Sequence, residues 1–355
     1  MHDRRMRSRV WAVATALVVL ATPAPAGAEP EPAGVRVLRV ATATELAEAM
    51  ATARPGDVIK MADGEYRGEA FTTVSGTARR PITLIGSRRA VIVNDRFEQP
   101  TTPCPSGHTG YGIWLDGASH WRLTGFTVAN SKKGIVVDRA TDVIIGGVLV
   151  HHTADEAVHF RRSTTDSAII GSTIHTAGLV QPGFGEGVYI GSAYGNWRCH
   201  GQDGGPDASN RIRVIGNRFG PNIAAEHIDI KEGTVDGQVI GNVFDGRGLT
   251  GKNSGDSWVD AKGSGYLFLG NLGSYQPSPG SVFRDGYETH EQYDLGYGCG
   301  NVFRGNVSHL AGVGGYAVNV TNRDQCGDNP NVVYDSNLVF GAVRGLTNIA
   351  VTPER

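Results

Sequence analysis

The chain has 355 residues, with 33 lysines and arginines against 35 aspartates and glutamates and a net charge of -2 at neutral pH. That balance supplies no basic field and excludes a nucleic-acid partner. Fifty glycines and a charged fraction of only 19% argue against a helical architecture and for a turn-rich β one.

Arg4, Arg5, Arg7 and Arg9 precede an apolar run from Val10 to Ala21, and Ala26-Gly27-Ala28 supplies the small residues of a signal-peptidase site. A cleaved signal peptide over 1–28 is expected, with a secreted mature chain beginning near Glu29. The surroundings of Arg4-Arg5 match a twin-arginine signal poorly. The apolar run is too short to span a bilayer, and no later segment is long enough to anchor the chain, so no membrane partner is expected. About 327 residues remain, read as one domain over 29–355 and expected to be a monomer.

After a proline-rich linker, Val35 to Val40 reads as a strand. Thr42-Ala43-Thr44-Glu45 forms a capping box that opens a short helix with Leu46, Met50 and Ala53 on one face. Arg54-Pro55-Gly56-Asp57 stops that helix. Val58 to Met61 and Pro81 to Gly86 read as the next strands, separated by the Asp63-Gly64 turn. A helix at this place covers the open end of a strand stack. No helix signal follows residue 55.

From Tyr111 the chain repeats itself. Ile113, Ile135, Val158, Val188, Ile228, Val259, Tyr287 and Val318 mark the first buried residue of successive units, at steps of 22, 23, 30, 40, 31, 28 and 31 residues. A second strand in each unit ends at Gly125, Gly147, Ser172, Asn217, Asn242, Asn271, Asn306 and Asn337, and stacked asparagines at one turn form an amide ladder. Steps of 22 residues are too short for a propeller blade. The expected fold is all-β, a single right-handed parallel β-helix with a short N-terminal capping helix. The longest step contains the loop Ala193 to Ser209, with Trp197 and Cys199.

The four cysteines, Cys104, Cys199, Cys299 and Cys326, lie in polar loops and match no zinc spacing. Export favours two disulfides. Cys299 and Cys326 are 27 residues apart, about one coil, and Cys104 and Cys199 both lie in loops leaving the same face. The expected pairs are Cys104–Cys199 and Cys299–Cys326.

The alignment also names what points outward. One place after the buried residue stand Trp114, Val136, His159, Tyr189, Asp229, Asp260, Glu288 and Asn319. Two places further stand Asp116, Asp138, Arg161, Gly191, Lys231, Lys262, His290 and Thr321. Tyr111, Lys133, Glu156, Glu186, Glu226, Ser257, Asp285 and Tyr316 lie at the bend before the strand. In register, Asp229 falls beside Asp260 and Lys231 beside Lys262, about 4.8 Å apart. Such like-charge neighbours repel, so stability alone gives no reason to pair them. Exposed ion pairs that merely solubilise the sheet are the bland alternative. Acids, lysines, an arginine and aromatics share a groove about 25 Å long, a shape that suits a chain of sugars.

The N-terminal stretches P-G-D-V-I-K-M-A-D-G-E-Y and S-G-T-A-R-R-P-I-T-L-I-G, from Pro55 and Ser75, resemble the start of polysaccharide lyase family 6, the alginate lyases and chondroitinase B, which are right-handed parallel β-helices. E-H-I-D-I-K, from Glu226 to Lys231, resembles that family's E-x-I-x-x-K motif, in which the glutamate binds calcium and the lysine abstracts a proton. The resemblance implies Glu226 as a calcium ligand and Lys231 as the base. Lys262 stands where the family carries its catalytic arginine.

The residues themselves lead to similar chemistry. Eliminating across a uronate requires a base, a proton donor to the leaving oxygen and a neutraliser for the carboxylate. Lys262 beside Lys231, with calcium on Glu186 and Glu226, is expected to lower the Lys231 pKa, and Asp229 could add a third oxygen ligand. Lys231, Lys262, Tyr189 and His159 are the catalytic candidates. Arg161, Asp229, Asp260, Trp114, Trp258, Glu288 and His290 are candidates for binding a polysaccharide. Two other readings stay open: a glycoside hydrolase using Asp229 and Asp260, and a secreted carbohydrate-binding solenoid without catalysis.

Overall fold

A computed structural model describes residues 34–96, 110–277, 282–291 and 293–354. The expected signal peptide and Cys104 lie outside the described residues. A compact unit spans Val35–Arg355. It consists of three parallel sheets of twelve, ten and ten strands wound as successive coils of a right-handed β-helix. Among the described residues no helix is long and apolar enough to cross a membrane.

The N-terminal end is closed as the sequence requires. Thr42 accepts from the Glu45 backbone N–H at 3.2 Å while the Glu45 carboxylate accepts from the Thr42 N–H at 3.2 Å, so the helix Ala43–Ala51 starts with both orphan donors satisfied. Leu46, Ala49 and Met50 bury its inner face against the first coils. The strand expected from Val35 spans Val37–Val40.

The first buried column forms as expected. Ile113, Ile135, Val158, Val188, Ile228, Val259, Tyr287 and Val318 are successive in-register partners in the ten-stranded sheet that carries the site. The amide column forms as well. Each Asn side-chain N–H of Asn217, Asn242, Asn271 and Asn306 donates to the next asparagine's Oδ1 at 2.8 to 3.0 Å. The preceding glycines, Gly216, Gly241, Gly270 and Gly305, hold φ between 61° and 63°, which turns the chain so that the next side chain points into the corner. This corrects the register of the early coils by one residue. Gly125 and Gly147 fall on that glycine column, with φ of 86° and 60°, and the ladder position there belongs to Phe126 and Val148.

A second inward column precedes the first. Gly112, Gly134, Ala157, Gly187, His227, Trp258, Gly286 and Ala317 are equivalent and all buried. Here the chain bends into the strand, so two successive residues face the core instead of alternating. Most coils fill the position with Gly or Ala because space is short: a Cβ at Gly134 would meet the Ala157 carbonyl at 2.3 Å. Trp258 fits because its neighbours are bare. A Cβ at Gly273 would lie 2.3 Å from its ring and one at Gly286 2.9 Å. Trp258 is therefore a core residue with 0% exposure, packed on Phe283 at 5.1 Å, and the expectation that it binds substrate is overturned. His227 is also buried, stacked on Phe244 at 5.6 Å with neither ring nitrogen hydrogen-bonded.

Two sets of loops wall the site-bearing sheet. After the strands, the long loop following Ile190 contains a four-residue helix, Trp197–His200, where no helix was expected. Its Tyr194 ring meets Tyr293 from a later coil at 5.1 Å. Before the strands, the Asn253 amide donates to the Gly183 carbonyl at 2.9 Å and ties two other loops together. Cys299 and Cys326 form the expected disulfide, with Cα atoms 5.4 Å apart. Cys199 is also disulfide-bonded.

Two stability predictions follow from these columns. Asn242 has 0% exposure and its Oδ1 accepts from both the backbone and the side chain of Asn217, at 2.9 and 3.0 Å. Asn242→Ala would leave several buried groups unpaired and should cost about 2 kcal/mol or more, read as a lowered denaturation midpoint. Burial holds His227 down at about 3, from an ordinary 6.5. Between those values the unfolded chain binds a proton that the fold excludes, so stability is complete above pH 6.5 and falls as pH drops toward 3. His227→Phe keeps the stacked ring and should flatten that acid decline in melting temperature.

Candidate active site

The outer column expected from the sequence is present. Trp114, Val136, His159, Tyr189, Asp229, Asp260, Glu288 and Asn319 pair in register across the site-bearing sheet. Asp229 thus sits directly against Asp260, and the strain of like charges is relieved diagonally. Lys231 Nζ lies 2.6 Å from Asp229 Oδ2. Lys262 bonds Asp260 on its own strand and reaches Asp229 Oδ1 at 3.4 Å. Asp229 therefore stands between the two lysines.

This placement reverses the expected lysine shift. Burial works against both ammonium charges, but Asp229 and Asp260 outweigh it and hold Lys231 and Lys262 above the usual lysine range. The sequence placed the lysines side by side but did not show that a carboxylate comes between them. Burial also opposes the Asp260 charge, yet Lys262 and His290 hold that carboxyl well below its ordinary range.

Beside these pairs lies a surplus of acid. Glu186, Glu226 and Asp229 are buried and each brings an oxygen within 4.8 Å of the others. Burial first, then repulsion from neighbouring carboxylates including Asp229, drives Glu186 and Glu226 well above the normal glutamate range. Glu186 Oε2 has no hydrogen-bond partner. Glu186, Glu226, Asp229 and Asp260 outnumber the cationic groups beside them, Lys231, Lys262 and the His290 that bonds Asp260, so retained protons or a divalent cation would offset the surplus. An all-oxygen donor set with a buried unpaired oxygen fits calcium.

Tyr189 and His159 occupy the preceding coils. Their rings meet edge to face at 4.5 Å, and Lys231 Nζ lies 5.2 Å from the Tyr189 ring centre. Burial and the nearby Asp229 and Glu186 keep the Tyr189 hydroxyl protonated far above its ordinary range. His159 Nε2 donates to the Gly191 carbonyl at 2.9 Å, which leaves the Nδ1 lone pair available. Burial favours its neutral form. Glu156 Oε1 is 3.5 Å from that nitrogen and is ion-paired with Lys133.

The remaining candidates are spread along the same face. Arg161 is locked to Asp138 by two hydrogen bonds, 2.6 and 3.1 Å, and donates to the Tyr111 hydroxyl at 3.2 Å. Trp114 donates to the same Asp138 at 2.9 Å and packs on Phe71 at 4.7 Å. His290 Nδ1 bonds Asp260 at 2.7 Å and its Nε2 lies 3.5 Å from Glu288. Glu288 is held by Arg284 at 3.0 Å, while burial and Asp256 push its carboxyl up to about 9. Arg284 was not singled out from the sequence, and Lys133 was placed in the bend column without a role. Each is charged at the bend before a strand, in the same region as the acid it pairs with, and that proximity was the available signal.

No protein-family model and no curated protein sequence matches the chain. Among solved structures, the alginate lyase from Paenibacillus sp. str. FPU-7 is 33% identical, covers 89% of this chain and 99% of its own, and superimposes with a TM-score of 0.77. The pectate lyase Pel9A is 13% identical with a TM-score of 0.60, over 91% of this chain and 80% of its own. A rhamnogalacturonan lyase is 13% identical with a TM-score of 0.59, over 84% and 78%. The last two share the fold, and all three are polysaccharide lyases. The chain belongs to the family of the Paenibacillus alginate lyase and has the right-handed parallel β-helix fold.

Proposed function

We propose that the protein is a secreted lyase that cleaves a uronate polysaccharide by β-elimination, with alginate the first substrate to test because the 33% identical neighbour is an alginate lyase. The observation that carries the reading is the stack of Tyr189, Lys231 and Lys262 over a buried carboxylate cluster on one sheet. A disulfide between Cys299 and Cys326 accords with an exported chain.

In this reading Lys231 removes the proton beside the uronate carboxylate and Tyr189 gives its proton to the departing glycosidic oxygen. The carbon–oxygen bond breaks as the ring double bond forms, and no water is consumed. Lys262, fixed by Asp229 and Asp260, supplies positive charge toward the substrate carboxylate. Glu186, Glu226 and Asp229 would hold calcium, which would add two positive charges beside Lys231 and reduce its hold on a proton. Asp260, kept ionised by Lys262 and His290, is a poor proton donor, which weighs against hydrolysis through Asp229 and Asp260.

A second assignment of the base has its own observation. Burial favours neutral His159, whose Nε2 is tied to Gly191 while its Nδ1 lies 3.5 Å from Glu156, whereas Lys231 is ion-paired at 2.6 Å. Lys231→Arg keeps the charge but cannot act as a base. With Lys231 as base, Lys231→Arg and Tyr189→Phe should each lower kcat by about 10²- to 10⁴-fold, followed by the ultraviolet absorbance of the unsaturated product. Near wild-type rates in Lys231→Arg with loss in His159→Ala would move the base to His159.

The carboxylate cluster makes a separate prediction. Burial and neighbouring carboxylates raise Glu186 and Glu226 well above the normal glutamate range, so calcium binding there would displace the protons these groups retain. Calorimetric titration in buffers of different ionisation enthalpy should show proton release, with affinity rising as pH rises. Glu226→Gln should weaken the binding and the release together.

A further inference from the structure

We infer that a second anion site, built around Arg162 and His200, binds a uronate carboxylate of the same chain at a distance from the reacting bond. The inference rests on the uronate-lyase reading for the identity of its ligand. The site is a cavity of about 310 Å³ whose lining includes Arg139, Arg162, Ser163 and His200. Two donors, Arg162 and His200, meet there. Arg139 is taken by Asp116. Arg162 is different: unlike Arg161, Lys133, Lys231 and Lys262, it has no carboxylate within ion-pairing distance among the described residues. Its Nε donates to His200 Nδ1 at 3.2 Å. That bond requires a neutral His200 with its remaining proton on Nε2, free for another acceptor. Burial and the nearby Arg161 and His159 keep His200 in that neutral state. Ser163 Oγ is buried without any partner.

The backbone is fixed for this purpose. Arg162 and Ser163 are successive non-glycine residues with φ of 54° and 61°, a conformation that persists only where the surroundings enforce it. Asp207, with 0% exposure, enforces it. Its carboxylate accepts from the Arg162 and Ser163 N–H groups at 2.9 and 2.8 Å and from Ser192 and Ser209 at 2.7 Å. A guanidinium on a fixed backbone and an imidazole N–H make an oxyanion receptor.

Arg162 follows the strand Val158–Arg161, two coils before Ile228–Ile230, which leads into Lys231. Two coils are about 10 Å along the axis. A short uronate held at Lys231 cannot also fill the cavity, and a longer one can. The site would therefore reward chain length and set how far the substrate extends toward the N-terminal coils.

The test uses the full chain and uronate oligomers of defined length, from trisaccharide to octasaccharide, of whichever polymer is cleaved. In the wild type kcat/KM should climb with length. In Arg162→Ala that gain should shrink about tenfold or more, chiefly through KM, with Arg162→Lys intermediate and His200→Ala smaller in the same direction. An undiminished length gain in folded Arg162→Ala and His200→Ala overturns the inference and leaves the lyase reading standing. If no uronate polymer is cleaved, the lyase reading fails by itself, and calorimetric titration of an octauronate decides the site. About tenfold weaker binding in Arg162→Ala supports it, and equal binding refutes it.

Discussion

The structure depends on the hydrogen-bond register of a parallel stack. Each coil lies about 4.8 Å from the next, so every residue has a near-equivalent as its lateral neighbour. In the core this is favourable, as where Phe268 and Phe303 stack at 4.5 Å, and at the corner it lets Asn217 through Asn337 satisfy one another. On the outer face the same rule sets Asp229 against Asp260. A helix or an antiparallel sheet could rotate such charges apart, whereas this stack can only interleave opposite ones.

That interleaving explains the chemistry of the site. Asp229 and Asp260 tie up Lys231 and Lys262, and the carboxyls of Glu186 and Glu226 are left buried without a matching cation. Uncompensated buried charge is costly, so these groups retain protons or take a divalent ion. A face selected for solubility would have placed such acids in water. Here they lie under Tyr189 and Lys231, where a small change in local charge decides which group carries a proton.

The periodic sheet supplies the charged column, and the irregular loops supply its surroundings. Tyr194 and Tyr293 meet from loops about a hundred residues apart, and Asn253 reaches Gly183 on the other side. The same long loop brings His200 to Arg162 and anchors Asp207 beneath the turn.

The sequence by itself determined the fold, the buried column from Ile113 to Val318 and the outward column from Trp114 to Asn319. Both follow from strand period and from equal phase in every coil, which a linear alignment preserves. The disulfide between Cys299 and Cys326 was legible for the same reason, since one coil brings its ends together. What the tertiary structure decided lies where phase is broken. The bend before each strand turns two residues inward, which sent Trp258 and His227 to the core. The left-handed glycine moved the ladder from Gly125 and Gly147 to their successors. Side-chain reach across the stack put Asp229 between two lysines and raised a pKa that their sequence spacing was expected to lower. Loop closure brought His200 to Arg162, a meeting that no period in the chain encodes.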